Sequence, residues 1–260
     1  MIIMILEEPT FDNYDISSYR NLFYGSSPMA AEWVEKAIQR FTNAGVQQGY
    51  GLTETSPILT TFDADDHRHA METGNTDILR AAGRPLIGID LKILNDNDTE
   101  LPTGETGEVC VRGPNVTPGY LNRPDENKKA FKNGWFHTGD VGKVDENGIL
   151  FLMDRKKDMI VSGGENIYTS EVEAALYKHP DVFECAVIGV PDYKYGETLL
   201  AVIVPVAGKN LEKETIIEHC RELIAGFKIP RKIDFVAELP KSAMSKILKN
   251  ELRKIYSKNP

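Results

Sequence analysis

Cysteines and long apolar runs are both scarce in this sequence. Among its 260 residues there are three cysteines, Cys110, Cys185 and Cys220. Because they are odd in number and far apart, neither a disulfide framework nor a Cys-x-x-Cys metal site is indicated. The apolar stretch 1–6 is far too short to span a bilayer and lacks the basic start of a signal peptide. We therefore expect no transmembrane segment and a cytoplasmic location, where thiols stay reduced.

Positive charge is also in short supply. The chain has 30 lysines and arginines against 39 aspartates and glutamates, a formal net charge of -9. A surface of that sign repels nucleic acids and anionic membranes, which argues against a general binder of either. Any anionic ligand must then be held by local groups. No repeat or low-complexity tract occurs.

The hydrophobic pattern predicts a sizeable core divided between two domains. Strand 20–24, helix 30–41 and strand 46–50 follow one another, with Gly- or Ser-rich loops at the strand ends, where α/β proteins place ligands. Short strands separated by turn residues then predict a β-rich part with the form of a distorted barrel. The remaining residues predict a small α+β domain.

The predicted fold class is accordingly α/β plus α+β. We expect an α/β part of a larger domain over residues 1–82, a β-rich, barrel-like subdomain over 83–153, a hinge at 154–158 and a mobile C-terminal α+β domain over 159–260. The composition does not decide between a monomer and a homo-oligomer.

The segment Tyr50-Gly51-Leu52-Thr53-Glu54 follows a predicted strand directly. Its hydroxyl groups can donate hydrogen bonds to phosphate, Glu54 can hold a hard cation such as Mg²⁺, and Gly51 lets the backbone approach a ligand. The alternative is a strand-to-helix turn capped by Thr53.

A second polar segment contains His137, Gly139 and Asp140. Asp140 follows Gly139 in a predicted turn and can accept two hydrogen bonds from a ribose, although such an aspartate more often only closes the turn. We assign His137 a structural role. The Asp- and His-rich segment 63–69 is predicted to be a solvated loop without a metal.

A charged joint follows the apolar segment 149–153. Five consecutive charged residues, 154–158, precede the pair Gly163-Gly164. Arg155 offers a planar fork of donors for phosphate or sugar oxygens, and Lys157 is a flexible point charge. The two glycines permit positive φ or close approach of a ligand. The alternative is a charged turn between two strands.

Two helix starts are predicted in the C-terminal part. Ser170 and Glu173 have the spacing of a capping box. A second helix is predicted over 247–256, with Ser245 as its cap and Lys246 in its first turn. The helix dipole does not stabilise a cation at that end of the helix. The position of Lys246 is therefore a weak indication that it binds an anion.

Four motifs in a fixed order carry a family resemblance. They are Gly-Tyr-Gly-Leu-Thr-Glu (49–54), Gly-Trp-Phe-His-Thr-Gly-Asp (134–140), Asp-Arg-Lys-Lys-Asp with Ser-Gly-Gly-Glu-Asn (154–158 and 162–166), and Pro-Lys-Ser-Ala-Met-Ser-Lys (240–246). From about residue 17 onward the chain resembles the C-terminal part of adenylate-forming enzymes: acyl-CoA synthetases, luciferases and peptide-synthetase adenylation domains. These enzymes convert a carboxylate and ATP-Mg²⁺ to an acyl-adenylate and pass the acyl group to a thiol.

The resemblance implies roles for individual residues. Thr53 would contact the α-phosphate and Glu54 would hold Mg²⁺, while Tyr50 and the segment Gly25-Ser26-Ser27 would lie beside the adenine. Gly51 would be a further cofactor-binding residue. The other implied roles are the ribose contact for Asp140, a ribose or phosphate contact for Arg155, the hinge pivot for Lys157, the path of CoA for Gly163 and Gly164, and the link between carboxylate and α-phosphate for Lys246.

The resemblance is strongest to fatty-acyl and aryl-CoA synthetases, so the expected partners are ATP or AMP, a fatty or aryl carboxylic acid and CoA. Three positions depart from the family pattern: Gly-Ser-Ser-Pro (25–28) replaces Gly-Gly-Ala-Pro, Ser245 replaces a glycine and Thr169 replaces a common proline. The acyl substrate is not predicted, because most of the acyl pocket is missing.

The family's Ser/Thr/Gly-rich phosphate loop, ending in Pro-Lys-Gly, does not occur in these residues, and Met1 falls in the middle of the family's large domain. We therefore expect these residues to be truncated and inactive alone. The alternatives are a non-catalytic module that binds a nucleotide or CoA, and a fragment of a peptide-synthetase adenylation domain.

Overall fold

The computed structural model describes residues 1–26, 29–242 and 246–256. The chain divides into two compact units, Met1–Leu152 and Met153–Pro260. Nowhere in these described ranges is a helix both long and apolar enough to cross a membrane.

The first sheet of the first unit contains a parallel pair of strands. Its order is β1-β2-β3-β4, with β1 parallel to β2 and the other pairs antiparallel. The strand bounds are β1 Asn21–Gly25, β2 Gly45–Tyr50, β3 Thr60–Phe62 and β4 Arg84–Pro85, and the helices are α1 Ile2–Leu6, α2 Ala31–Arg40 and α3 Ala64–Thr73. Ala31, Val34 and Ala37 form the buried stripe of α2, as the helical spacing predicts.

Segment 63–69, predicted to be a solvated loop, instead enters helix α3. Asp63 Oδ1 accepts hydrogen bonds from the backbone N–H groups of Asp65 and Asp66 and so caps the helix. His67 is buried, and its Nε2 lies 3.0 Å from Tyr24 Oη. The prediction was wrong because acidic residues that suit a solvated surface also suit the first turn of a helix, where the dipole favours negative charge.

The second sheet of this unit is antiparallel and has the order β5-β6-β8-β7, with β9 paired to β8. Its strands are β5 Asp90–Leu94, β6 Gly107–Arg112, β7 Phe131–Lys132, β8 Trp135–Val144 and β9 Leu150–Arg155, whose last three residues fall in the second unit, and helix α4, Pro124–Ala130, precedes β7. Val109, Val111, Phe136 and Leu150 lie in its core.

The second unit is one sheet covered by helices on both faces. The sheet has the order β11-β10-β13-β12, with β14 parallel to β13. The element bounds are β10 Ile160–Ser162, β11 Glu165–Ile167, α5 Thr169–Tyr177, β12 Val182–Asp192, β13 Gly196–Pro205, α6 Lys213–Leu223, β14 Lys232–Phe235 and α7 Lys249–Tyr256. The predicted fold class, α/β plus α+β, is confirmed.

Alternate residues of β12 and β13 belong to different cores, because side chains on a strand point to opposite faces in turn. Val187 and Ala201 pack with α5 and α6, whereas Ile188 and Val202 pack with Leu252 of α7. Both strands are therefore apolar along most of their length, unlike strands with one solvated face.

The predicted capping box of α5 is wrong. Asp154 Oδ2 accepts hydrogen bonds from Thr169 N at 2.5 Å, Thr169 Oγ1 at 2.7 Å and Ser170 N at 3.3 Å, so a residue from the charged joint caps the helix. Glu173 accepts a hydrogen bond from Val187 N at 2.7 Å. The spacing in sequence suggested that the helix is capped by one of its own residues, whereas in the folded chain the cap is Asp154, which lies outside the helix.

The helix predicted over 247–256 begins later, at Lys249. Lys246 therefore precedes the helix and is not in its first turn. Its N–H donates to Ser242 Oγ at 3.2 Å, and its carbonyl oxygen accepts a hydrogen bond of 2.8 Å from Ser242 N. The predicted cap, Ser245, lies outside the described residues.

Candidate functional site

The segment after β2 is a tight turn that requires a glycine at its start. A Cβ on Gly51 would lie 1.9 Å from the carbonyl oxygen of Pro57. Residues Thr53–Thr55 form a short 3-10 turn, in which Leu52 N donates to Thr55 Oγ1 at 3.0 Å. Thr53 is exposed, and the buried Thr55 secures the turn. The alternative in which Thr53 caps the turn is therefore wrong.

Glu54 is held by a loop far away in sequence. Tyr120 Oη donates a hydrogen bond of 2.8 Å to Glu54 Oε1, and Thr117 N donates one of 2.8 Å to the Glu54 carbonyl oxygen. Burial, together with the Glu54 hydrogen bond, raises the pKa of Tyr120 to about 12. Tyr120 thus stays a neutral donor that orients the carboxylate.

Asp140 lies in strand β8, not in a turn as the sequence predicted. The pairing of β6 with β8 shifts register between Glu108 and Cys110, and Gly139 takes a φ of 72° beside this irregularity. Gly139 N donates to Glu108 Oε1 at 3.2 Å, and Asp140 N donates to Thr138 Oγ1 at 3.1 Å. The irregularity therefore has a defined geometry that positions the aspartate.

Tyr50 and Asp140 meet directly. Tyr50 Oη donates a hydrogen bond of 2.7 Å to Asp140 Oδ2, and the aspartate is 6% exposed. The strand end that carries Tyr50 thereby joins the irregular strand that carries Asp140. A carboxylate held in this way can accept hydrogen bonds from vicinal hydroxyl groups of a sugar.

Gly25 ends β1 beside β2. It pairs with Gly49 in the parallel register, and a Cβ on Gly25 would lie 2.4 Å from the Gly49 carbonyl oxygen. Ser26 follows with a φ of 67°. The next predicted site residue, Ser27, lies outside the described residues. Gly25 and Tyr50 end neighbouring parallel strands, so they share the carboxyl edge of the sheet, where α/β proteins bind ligands.

In the second unit Gly163 and Gly164 form the two-residue turn of the β10–β11 hairpin. Their φ values are 63° and 89°, and Ser162 pairs with Glu165. Positive φ at both positions is typical of the tight turn that matches the twist of a hairpin. Gly163 N donates to the Tyr195 carbonyl oxygen at 3.0 Å.

Two residues beside this hairpin were missed by the sequence analysis. The guanidinium carbon of Arg231 lies 3.9 Å from the centre of the Tyr195 ring, and Arg231 Nη1 donates to Ser162 Oγ at 3.4 Å. A hydrogen bond with Lys194, followed by the positive charges of Lys194 and Arg231, lowers the pKa of Tyr195. No sequence motif marked these residues, because they reach the hairpin from separate segments.

Arg155, Lys157 and Lys246 also lie in the second unit. Arg155 is the last residue of β9. Its carbonyl oxygen accepts hydrogen bonds from Asp158 N at 2.8 Å and Met159 N at 3.1 Å, so a turn follows the strand. Asp158 in turn pairs with Arg253 at 2.7 Å. Lys157 and Lys246 are exposed.

The buried Asp140 and the Tyr50 hydroxyl group that contacts it lie by the end of strand β2, at the carboxyl edge of the parallel pair, where α/β proteins place ligands. Residues 1–121 match the family of AMP-binding enzymes, and residues 171–246 match the AMP-binding enzyme C-terminal domain. The chain belongs to this family of adenylate-forming enzymes, as the four motifs predicted.

The relatives that the chain matches include CoA ligases. The chain is 39% identical over 252 residues to a feruloyl-CoA synthase of Amycolatopsis, covering 97% of this chain and 49% of the relative. It is 41% identical over 239 residues to the 2-succinylbenzoate–CoA ligase of Bacillus mycoides, covering 92% of this chain and 47% of the relative. The chain thus spans about half the length of the curated relatives it matches.

Solved structures of adenylate-forming enzymes superpose on nearly the whole of this chain. The amide bond synthetase McbA of Marinactinospora thermotolerans superposes with a TM-score of 0.87 at 33% identity, over 98% of this chain and 50% of that chain. The o-succinylbenzoate-CoA synthetase MenE of Bacillus subtilis, in complex with an acyl-adenylate, superposes with a TM-score of 0.85 at 36% identity, over 97% of this chain and 49% of that chain. The same enzyme in complex with ATP and magnesium superposes with a TM-score of 0.83 at 36% identity, over 96% of this chain and 49% of that chain.

Proposed function

We propose that this chain takes part in an acyl-CoA synthetase reaction. A carboxylic acid reacts with ATP to give an acyl-adenylate and pyrophosphate, and the acyl group then passes to the thiol of CoA. Support comes from the CoA-ligase relatives, whose names specify aromatic acids, and from the similarity to an enzyme in complex with an acyl-adenylate. An aryl acid is therefore the first substrate class to test, and a fatty acid is the second.

The observation that carries the proposal is the hydrogen bond between Tyr50 and Asp140. Burial of Asp140 makes the carboxylate a strong acceptor, because few water molecules compete for it. In the proposed complex Asp140 accepts the ribose hydroxyl groups, and Tyr50 lies beside the adenine. Gly25, Ser26 and Gly51 allow the backbone to approach the same nucleotide.

Adenylation brings a carboxylate against a phosphate, so positive charge must offset the repulsion between two anions. Glu54, oriented by Tyr120, suits a magnesium ion because Mg²⁺ prefers oxygen ligands. The ion would supply charge that stabilises the phosphate oxygens. Thr53 is the proposed donor to the α-phosphate, and Lys246 is the proposed cation that neutralises the reacting carboxylate and phosphate.

The second unit supplies the proposed thiol-transfer residues. Gly163 and Gly164 are proposed to flank the path of CoA, and the neighbouring cations Lys194 and Arg231 suit its phosphate groups. Arg155 is proposed to contact the ribose or phosphate of the nucleotide. Lys157, in the turn after β9, is the proposed pivot of a domain rotation between the two half-reactions.

Calorimetry with AMP and 2′,3′-dideoxy-AMP tests the ribose assignment directly. We expect the full chain to bind AMP more tightly, by about 10- to 100-fold, since hydrogen bonds to a charged group contribute about 1.5–3 kcal/mol. Asp140→Asn should lose most of this discrimination. The matched control is Asp125→Asn, at an exposed position in α4, and it should retain the discrimination. Equal binding of both nucleotides by the unmodified chain would overturn the assignment.

Catalysis needs a second experiment, because no Ser/Thr/Gly-rich phosphate loop occurs among the 260 residues. We expect these residues alone to show no robust ATP–pyrophosphate exchange. A chimera that adds the unmatched part of a feruloyl-CoA synthase should form a CoA thioester, and Lys246→Ala should abolish its adenylation step. A folded chimera that binds AMP without turnover would favour the alternative of a non-catalytic module.

A further inference from the structure

Glu108, Cys110 and His137 form a cluster of metal-ligating side chains in the second sheet of the first unit. Glu108 and Cys110 are two residues apart on β6, and His137 pairs with Cys110 across the β6–β8 ladder. Side chains two residues apart lie on the same face of a strand, and a directly paired residue shares that face. The three side chains therefore converge because of strand register.

The distances within the cluster suit one small ion. Cys110 Sγ lies 3.4 Å from His137 Nδ1, and His137 Nδ1 lies 3.2 Å from Glu108 Oε2. A tetrahedral zinc ion with Zn–S of about 2.3 Å and Zn–N and Zn–O of about 2.0–2.2 Å separates such ligand atoms by about 3.3–3.6 Å. All three ligand atoms lie within 4.8 Å of one another. Little movement is needed to bind an ion.

The other nitrogen of His137 supports the same conclusion. His137 Nε2 is buried and has no hydrogen-bond partner among the described residues, and it lies 3.7 Å from Asp98 Oδ1. Asn133 Nδ2 donates to the other oxygen of Asp98 at 3.2 Å. Histidines that bind metals usually direct their second nitrogen toward a carboxylate, which orients the ring. With a metal on Nδ1, the proton of His137 resides on Nε2 and faces Asp98.

We propose that Glu108, Cys110 and His137 bind a divalent transition-metal ion of the zinc type, distinct from the Mg²⁺ proposed at Glu54. A thiolate and an imidazole favour Zn²⁺ over Mg²⁺ or Ca²⁺, which prefer oxygen ligands. Cys110 loses its thiol proton to solvent when the ion binds, and water completes the fourth position. Three protein ligands and one water form a common zinc coordination set.

The site adjoins the strand irregularity that positions Asp140. Glu108 Oε2 faces the metal position, whereas Oε1 accepts the hydrogen bond of Gly139 N. An ion would restrain Glu108 and, through it, the peptide that precedes Asp140. The consequence is a second metal site that shares a β-strand with the proposed ribose contact and does not depend on a bound nucleotide.

Cobalt(II) is a suitable probe because it replaces zinc and absorbs light. The full chain, freed of metal with a chelator, is titrated with Co²⁺ and then with Zn²⁺. We expect saturation at one ion per chain, a thiolate-to-cobalt charge-transfer band and visible bands typical of four-coordinate cobalt, all reversed by Zn²⁺. Absence of these bands, or octahedral cobalt spectra alone, would overturn the proposal.

Variants distinguish this cluster from other thiols. Cys110→Ser should abolish the charge-transfer band, and Glu108→Gln, which keeps an acceptor for Gly139 N, should weaken Co²⁺ binding by at least about 10-fold. The control Cys220→Ser replaces another buried thiol and should leave the spectrum unchanged. Circular dichroism checks that the variants fold. A full-strength band in folded Cys110→Ser, or unchanged affinity in folded Glu108→Gln, would contradict the assignment.

Discussion

Tyr50 and Asp140, ninety positions apart in sequence, are joined by a hydrogen bond of 2.7 Å between a phenol and a buried carboxylate. This contact links the end of the parallel strand β2 to the irregular strand β8. It holds together two of the four sequence motifs, and both belong to the first unit. The strength of the contact can be tested without any ligand.

Tyr50→Phe removes the hydroxyl group and keeps the ring. Because a hydrogen bond to a charged group contributes about 1.5–3 kcal/mol, we expect the free energy of unfolding to fall by that amount. Urea denaturation followed by circular dichroism measures the change. Tyr14→Phe is the control, since Tyr14 is 65% exposed and should change stability by less than about 0.5 kcal/mol. Equal effects of the two variants would show that the contact contributes little.

Asp154→Ala removes the distant cap of α5. Loss of an N-cap costs about 0.5–2 kcal/mol, so the amide protons of Thr169 and Ser170 should exchange with solvent about 2- to 30-fold faster. Site-resolved hydrogen exchange measures this directly. Asp154→Asn keeps one acceptor oxygen and should have a smaller effect. If Asp154→Ala left both amides as protected as before, the cap would have to come from another group.

Gly163→Ala and Gly163→Asn separate backbone strain from crowding. The φ of 63° is in the left-handed region, and a Cβ would lie 3.2 Å from Tyr195 Cδ1 in both variants. Alanine costs about 1–2 kcal/mol in this conformation, whereas asparagine is more tolerant, so the alanine variant should be the less stable. Urea denaturation provides the comparison. Gly226→Ala, which meets nothing within 4 Å and has no positive φ, should be close to neutral.

His67 should make the chain sensitive to acid. Burial lowers its pKa, against smaller opposing effects of the Asp63 carbonyl and the charges of Asp66 and Asp63. The unfolded chain therefore binds a proton near pH 6.5 while the folded chain does not, and stability declines as the pH falls below about 6.5. This contribution is present in full above that pH and is lost through the lowered pKa of the folded state.

His67→Gln should reduce this acid-dependent loss, measured as the change in unfolding free energy between pH 7 and pH 5. His69→Gln is the matched control, because His69 lies on the same helix and is exposed. Parallel pH profiles of His67→Gln and the unmodified chain would contradict the prediction, even if the variant were less stable at every pH.

Local structure and the order of the motifs could be predicted from the sequence. Helix α2 follows the apolar spacing of its residues, and the Gly163–Gly164 turn follows from two residues that tolerate positive φ. The order of the motifs predicted the family, which the comparisons confirm. Such features depend on residues that are close together in the sequence or on the order of motifs along it, and both can be read from the sequence directly.

The tertiary structure decided which distant groups meet. Strand register brings Cys110 opposite His137, and folding places Asp154 at the start of α5, Tyr120 on Glu54 and Arg231 over Tyr195. It also turned the Asp- and His-rich segment into a capped helix with a buried histidine. The sequence by itself determined the kinds of side chain available for binding an anion, a sugar or a metal. Their pairing depends on register and packing over tens of residues, which no local pattern encodes.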